Sequence, residues 1–272
     1  MGKGGDSNCN SGAMNVGLMG AAQLSHPKRP CEDAYWLDLE HGAALVVDGM
    51  GGHHAGGEAA HRAAAYFKDF LASIPEQGQR QGCAQEALLA MRSDLIGQQT
   101  VRSDWYEADA TAAVALMDGT SVDIAWCGDS RVYRWDGKQL ELLTLDHSAA
   151  LSSMPAASQR YAAQLMDDCD DPAELPDDML ELYLRRNHVS SGIGAGPIDC
   201  LSVDTNPGDI FLLSSDGLHD NLTSLEIKKV LAQDGDQALN LAQAAFLRSS
   251  EMHPRAKLDD ITVLILPTSA RS

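Results

Sequence analysis

Positive charge is scarce in this 272-residue chain: 20 Lys and Arg stand against 39 Asp and Glu, a formal charge of −19. Such a surface repels phosphate backbones, which excludes general binding to nucleic acid or to anionic lipid. Long hydrophobic runs are missing as well. No stretch approaches the ~18–20 consecutive apolar residues that a membrane helix needs, so no membrane partner is expected. The six cysteines (Cys9, Cys31, Cys83, Cys127, Cys169 and Cys200) are scattered with no Cys-x-x-Cys spacing. That removes a zinc ribbon and a dithiol redox motif, and leaves reduced structural thiols in a cytoplasm as the expectation. Met1 to Ala13 lacks the apolar run of a signal peptide, and Asp6 stands where N-myristoylation wants Ser or Thr. What remains, with 44% apolar and 22% charged residues, suits a soluble protein able to bury a core.

Residues 1–13 are rich in Gly, Ser and Asn and read as a disordered lead. From there to residue 268 no linker longer than a loop appears and no repeat is found, so 14–268 reads as a single domain with a short tail at 269–272. Apolar runs predict strands at Ala34–Leu37, Ala43–Val47, Val114–Met117, Ser121–Tyr133, Leu140–Leu145, Ile210–Leu213 and Ile261–Leu266. Helical periodicity predicts Glu58–Ala72, Ala84–Arg102, Leu225–Gln233 behind a Thr223–Glu226 capping box, and Ala238–Arg248. Hairpin-length links between strands favour antiparallel sheets covered by helices, an α+β arrangement. Residues 149–189 stand apart. Between Arg160 and Arg185 lie eight acids (Asp167, Asp168, Asp170, Asp171, Glu174, Asp177, Asp178, Glu181) and no base, broken by Pro172 and Pro176. They read as a partly helical surface insertion.

Acids recur at strand ends. Asp48 follows an apolar run and precedes Gly49-Met50-Gly51-Gly52. Asp129 lies in Cys127-Gly128-Asp129-Ser130-Arg131, Asp216 follows Leu212-Leu213-Ser214-Ser215, Asp259-Asp260 precede the last strand, and Glu32-Asp33 precede another. One such acid ordinarily closes a turn through its own backbone. Five such sites in one chain point to a cluster, because strands of common sheets bring their ends together. Clustered carboxylates repel unless a cation neutralises them, and oxygen-only ligands suit Mg²⁺ or Mn²⁺ better than zinc.

In order along the chain stand Lys28-Arg29-Pro30-Cys31-Glu32-Asp33, Val47-Asp48-Gly49-Met50-Gly51-Gly52-His53, Gly128-Asp129-Ser130-Arg131-Val132-Tyr133, Leu143-Thr144-Leu145-Asp146-His147-Ser148, Ser215-Asp216-Gly217-Leu218 and Asp259-Asp260-Ile261-Thr262-Val263. With these six motifs the chain resembles, over about residues 15–267, the metal-dependent protein phosphatases of the type 2C serine/threonine class in their bacterial form. The resemblance implies a four-layer α-β-β-α sandwich of two antiparallel sheets flanked by helices, with 149–189 as the family's variable flap. It implies hydrolysis of phosphoserine and phosphothreonine monoesters on proteins by a bridging water at a binuclear Mg²⁺ or Mn²⁺ centre, opposing a serine/threonine kinase, in a cytoplasmic, monomeric enzyme.

By motif position, Asp48 bridges the two ions and Gly49 offers its carbonyl. Glu32 binds one ion and Asp216 and Asp259 hold the other. Asp33 orients bound waters, and Asp129 serves a third, weaker ion. Asp48 and Asp216 thus hold the attacking water. Several positions depart from the pattern. Lys28 stands where the family carries a phosphate-clamping Arg, with Arg29 beside it, and Lys lacks the fork that grips two oxygens. Cys31 and Asp260 each replace Asn. Met50 fills the place of a histidine proton donor, leaving His53 as the nearby candidate. These departures keep open a pseudophosphatase that binds phosphoproteins without turnover, and a small-molecule phosphomonoesterase is a third reading. Arg131 is expected to brace Asp129, Thr111 and Asp146-His147-Ser148 to be structural, and the acidic insertion to be a solvated face, with selection of basic phosphosites as the alternative.

Overall fold

The computed structural model describes residues 20–26, 29–50 and 55–268. Alternation of buried faces builds two antiparallel five-stranded sheets. The first has the order β1 (Ala21–Leu24), β10 (Ile261–Pro267), β9 (Ile210–Ser214), β6 (Arg131–Trp135) and β7 (Leu140–Leu142). The second has the order β2 (Asp33–Asp38), β3 (Ala43–Met50), β4 (Asp109–Asp118), β5 (Ser121–Cys127) and β8 (Asp199–Asp204). Along β3, Ala44 and Val46 face the other sheet and, with Ile124 and Trp126 of β5, meet its Val132, Leu213 and Leu264. Leu45 and Val47 face outward onto α1 (Ala55–Leu71) and α2 (Cys83–Val101), packing with Phe67, Leu88 and Met91. The first sheet is covered on its outer face by α7 (Ser224–Leu231) and α8 (Gln237–Ser249), through Leu231, Leu241 and Ala245 against Leu212, Val263 and Ile265. The layers are therefore α-β-β-α, as expected, because the central strands are apolar on both faces.

Strand boundaries differ from the sequence reading at several points. Ser121–Tyr133 is not one strand: β5 and β6 belong to different sheets, and Gly128 makes the corner at φ +85°. A Cβ there would also strike the Thr111 side chain, so only glycine suits the turn. β7 stops at Leu142, and β1 and β8 were not foreseen; β8 is mostly exposed and lacks a continuous apolar signal. The capping box at Thr223 forms as read, with Glu226 N–H donating to the Thr223 hydroxyl at 3.2 Å.

Residues 149–189 fold as α3 (Ala149–Ser152), α4 (Ala156–Asp168) and α5 (Asp177–Leu184) around a small core of Leu151, Ala162, Met166, Met179 and Tyr183. The remaining helix, α6 (Asp216–His219), is a single turn directly after β9. The lead at 1–13 and the tail at 269–272 lie outside the described residues.

Candidate functional site

Register brings the acids together. In the β2–β3 ladder Asp33 stands directly opposite Asp48, and Asp48 stands opposite Thr111 in the β3–β4 ladder. Like charges so paired destabilise a sheet. From the other sheet, β9 delivers Asp216 and the approach to β10 delivers Asp259 and Asp260. Asp129 arrives on the β5–β6 corner. The two sheets are stitched at this end by Asp33 itself. Its Oδ2 accepts from the hydroxyls of Ser215 and Thr262, at 2.7 Å each, and Gln23 Nε2 donates to both the Asp33 carbonyl and the Thr262 hydroxyl.

Gly49 is required by close approach: a Cβ would run into the Gly56 backbone and lie 2.8 Å from the Glu32 carbonyl, which the Gly49 N–H already meets at 3.1 Å. The start of α1 is thereby pressed against the acidic strand end.

Crowding shapes the protonation of these groups. Burial first, and then the charges of Asp33, Asp216, Asp259 and Asp129, push the Asp48 carboxyl well above the ordinary range. Asp33 and Asp129 are raised in the same way, chiefly by burial. Asp216 is pushed up to about 6 by burial, with Lys257 opposing. Its Oδ1 is buried and has no hydrogen-bond partner, an acceptor pointed at no donor. His219, on the same helical turn, is held far below the usual imidazole range by burial and by nearby Arg131.

Two cations stand among the acids. Arg29 pairs with Glu32 and Asp259, and its Nη1 lies 3.2 Å from Asp260. The fork expected to meet phosphate thus neutralises carboxylates here, while remaining 34% exposed at the mouth of the cleft. Lys257 Nζ pairs with Asp216 and lies 2.8 Å from Asp220 and 3.1 Å from Asp259. No three acid, imidazole or thiol groups among the described residues close on one point at ligand distance. The chemistry still fits a hard divalent cation: the donors are all oxygens, they repel one another, and one buried acceptor is orphaned. Glu32, Asp33, Asp48, Asp129, Asp216 and Asp259, with the Gly49 backbone, all lie at this one end of the sandwich. Lys28 and His53 lie outside the described residues.

Asp260 is a brace: 2% exposed, it accepts from the His26 N–H at 2.6 Å and the Glu32 N–H at 2.9 Å, fixing the loop that carries Glu32. Arg131 does not brace Asp129. It forks onto Asp146 at 2.7 and 2.8 Å and reaches Asp167 of α4 at 2.9 Å, tying the flap to the sheet, because β6 aims it at the insertion. Thr111 is structural as expected, its hydroxyl 2.8 Å from that of Ser130. Part of the acidic insertion is spent internally: Asp167 is buried on Arg131, and Arg248 lies 3.7 Å from Asp170. Lys257 and Asp220 were missed by the sequence reading. Asp220 carries a signal, the four-residue spacing from Asp216 that shares a helix face; Lys257 carries only its nearness to Asp259.

A family model described as Protein phosphatase 2C matches residues 22–260. The serine/threonine phosphatase stp of Listeria monocytogenes serotype 4b is 24% identical over 82% of this chain and 82% of its own. Among solved structures, PppA, described as a key regulatory component of T6SS in Pseudomonas aeruginosa, is 26% identical with a TM-score of 0.64, covering 91% of this chain and 96% of its own. The catalytic domain of the serine/threonine protein phosphatase PstP in complex with two manganese ions has a TM-score of 0.69 at 21% identity, covering 90% of this chain and 95% of its own.

Proposed function

The chain belongs to the protein phosphatase 2C family of metal-dependent serine/threonine phosphatases, and from that premise we propose that it hydrolyses phosphoserine and phosphothreonine monoesters on proteins at a binuclear Mn²⁺ or Mg²⁺ centre, opposing a serine/threonine kinase. The observation that carries this reading is the convergence, from both sheets, of carboxylates that cannot all ionise unaided, with Asp216 Oδ1 left orphaned among them.

Asp48, Glu32, Asp216 and Asp259, with the Gly49 carbonyl, would hold the two ions, and Asp33 would orient their bound waters. When bound, the ions supply an acidified water as nucleophile and neutralise charge building on the phosphoryl oxygens. This chain's residues set the stage for that chemistry. Ser215 and Thr262 fix the Asp33 carboxylate in one orientation through its Oδ2. Asp260 holds the Glu32 loop by two backbone N–H groups. Arg29, partly exposed at the mouth, is the cation able to turn outward onto a phosphoryl group, and its planar fork matches two oxygens. His219 is buried and neutral, so protonation of the leaving group does not fall to it.

The test is phosphate release from a phosphothreonine peptide with Mn²⁺, with Mg²⁺ and with chelator, alongside Asp48→Asn and Asp216→Asn checked for folding. Release that needs metal and falls at least ~100-fold in both variants is expected, since a lost ligand should cost no less than a lost outer-shell partner. Peptide binding without release by the folded wild type would favour the pseudophosphatase. A far higher kcat/KM on phosphorylated metabolites would favour the small-molecule enzyme.

A further inference from the structure

Lys257 is held where it is by the fold rather than by its own charge alone. The Asn221 side chain clamps its backbone from both directions: Lys257 N–H donates to Asn221 Oδ1 and Asn221 Nδ2 donates to the Lys257 carbonyl, each at 2.9 Å. Asn221 is fully buried, and its Nδ2 also meets the Gly217 carbonyl at 2.9 Å, which fastens the clamp to α6. Two residues earlier, Arg255 donates to the carbonyls of Met166, Cys169 and His219. The loop bearing Lys257 is thus pinned to both α6 and the flap.

From this base the ammonium reaches three carboxylates, those of Asp216, Asp220 and Asp259. Asp220 is 2% exposed and its acceptor capacity is taken: Oδ1 receives Arg186 Nε at 3.1 Å, and Oδ2 receives Asn187 Nδ2 and Lys257 Nζ, both at 2.8 Å. Those cations hold it charged, below the usual carboxylate range. A divalent ion at Asp216 and Asp220 would have to evict the lysine from a compact, fully donated arrangement. Asp216 keeps its orphaned Oδ1 for an ion shared with Asp48 and Asp259, whereas neither oxygen of Asp220 is without a donor.

We propose that Lys257 is a resident cation that takes the place of the third divalent ion expected at Asp129, beside Asp216 and Asp220, so that this chain loads two ions. The inference rests on the reading of the acidic cleft as a divalent-metal centre. The acids on the Asp48 side, with Arg29 more exposed and less anchored, remain open to ions, whereas the Asp220 side carries its neutralising charge within the sequence.

The test counts Mn²⁺ on the wild type by electron paramagnetic resonance of the free ion, and follows acylation of Lys257 by mass spectrometry with and without saturating Mn²⁺. Two ions are expected, with Lys257 staying slower to react than the exposed Lys138 and Lys229 in both conditions. Lys257→Met is expected to gain a third ion and to melt lower than wild type in chelator; Lys257→Arg is expected to keep two. A third ion on the wild type, or Lys257 becoming as reactive as the surface lysines when Mn²⁺ is added, overturns the proposal while leaving the metal centre intact. A Lys257→Met variant that folds and binds the wild-type number of ions does the same. Failure of the wild type to bind any Mn²⁺ overturns the metal-centre reading and this inference together.

Discussion

A carboxylate and a thiol in this molecule are governed by the same physics: the cost of charge where water is excluded. Cys127 lies at the end of β5, fully buried, and burial pushes its thiol up to about 12. Cys200, on β8, is exposed. The thiolate is the nucleophile, so exposure and ionisation together decide reactivity. Iodoacetamide at neutral pH is therefore expected to label Cys200 and to leave Cys127 untouched until the chain unfolds, as read by peptide mass spectrometry. Labelling of Cys127 in the folded protein would contradict the packing described for β5. At the acidic strand ends the same cost acts on Asp33, Asp48, Asp129 and Asp216, but there the groups face a cleft and one another, so a cation can offset it. The motif residues Glu32, Asp33, Asp48, Asp129, Asp216 and Asp259 were legible because an acid at a strand end, repeated down the chain, is a pattern. Lys257 was not, because a lone lysine in a polar loop looks like any solvated charge until the loop is folded back onto α6.

Among the elements, the insertion of residues 149–189 is the most informative. From sequence it reads as an acidic surface segment, and its helices do expose most of their acids. Yet Asp167 points inward, 8% exposed, and shares Arg131 with Asp146. Arg131 is thereby the post on which the flap is hung, with Arg255 fastening the same helix through the carbonyls of Met166 and Cys169. Removing one partner from a buried ionic group typically costs about 3–5 kcal/mol, because the remaining charges are left uncompensated. Arg131→Met is thus expected to lower unfolding stability by a few kcal/mol in urea titration and to speed limited proteolysis within 149–189 ahead of the rest of the chain. Cleavage at the wild-type rate in that segment would show that the flap's own small core suffices to hold it. The flap's internal ion pairs also mean that only part of its charge is available to a basic substrate.

At the scale of the whole molecule, the acidic cleft ties stability to pH and to metal. An acid whose folded value is raised binds its proton in the native state while the unfolded chain has already lost it. Between the ordinary aspartate value of 3.8 and about 6 for Asp216, the unfolded state therefore holds fewer protons, and stability falls as pH rises through that window. Asp33, Asp48 and Asp129 act in the same direction. The metal-free protein, kept in chelator, is expected to melt at a lower temperature at about pH 7 than at about pH 5. Mn²⁺ is expected to cancel or reverse that difference, since it binds the deprotonated groups. Calorimetric melting across that range, with and without metal, checks this; a chelated protein more stable at the higher pH would show that the acids are not coupled as described.

The sequence by itself determined antiparallel sheets with a helical cover and the ligand class, while the four layers came with the family resemblance. Apolar strands joined by hairpin-length links call for antiparallel sheets under helices, and acids at successive strand ends call for a hard cation, because these are local patterns that survive any choice of topology. Only the tertiary structure decided which acids face one another, that Arg131 serves the flap rather than Asp129, and that β5 and β6 part into separate sheets at Gly128. It alone placed a lysine among the carboxylates. Those outcomes depend on pairing register and on contacts between residues far apart in the chain, which no window of sequence contains.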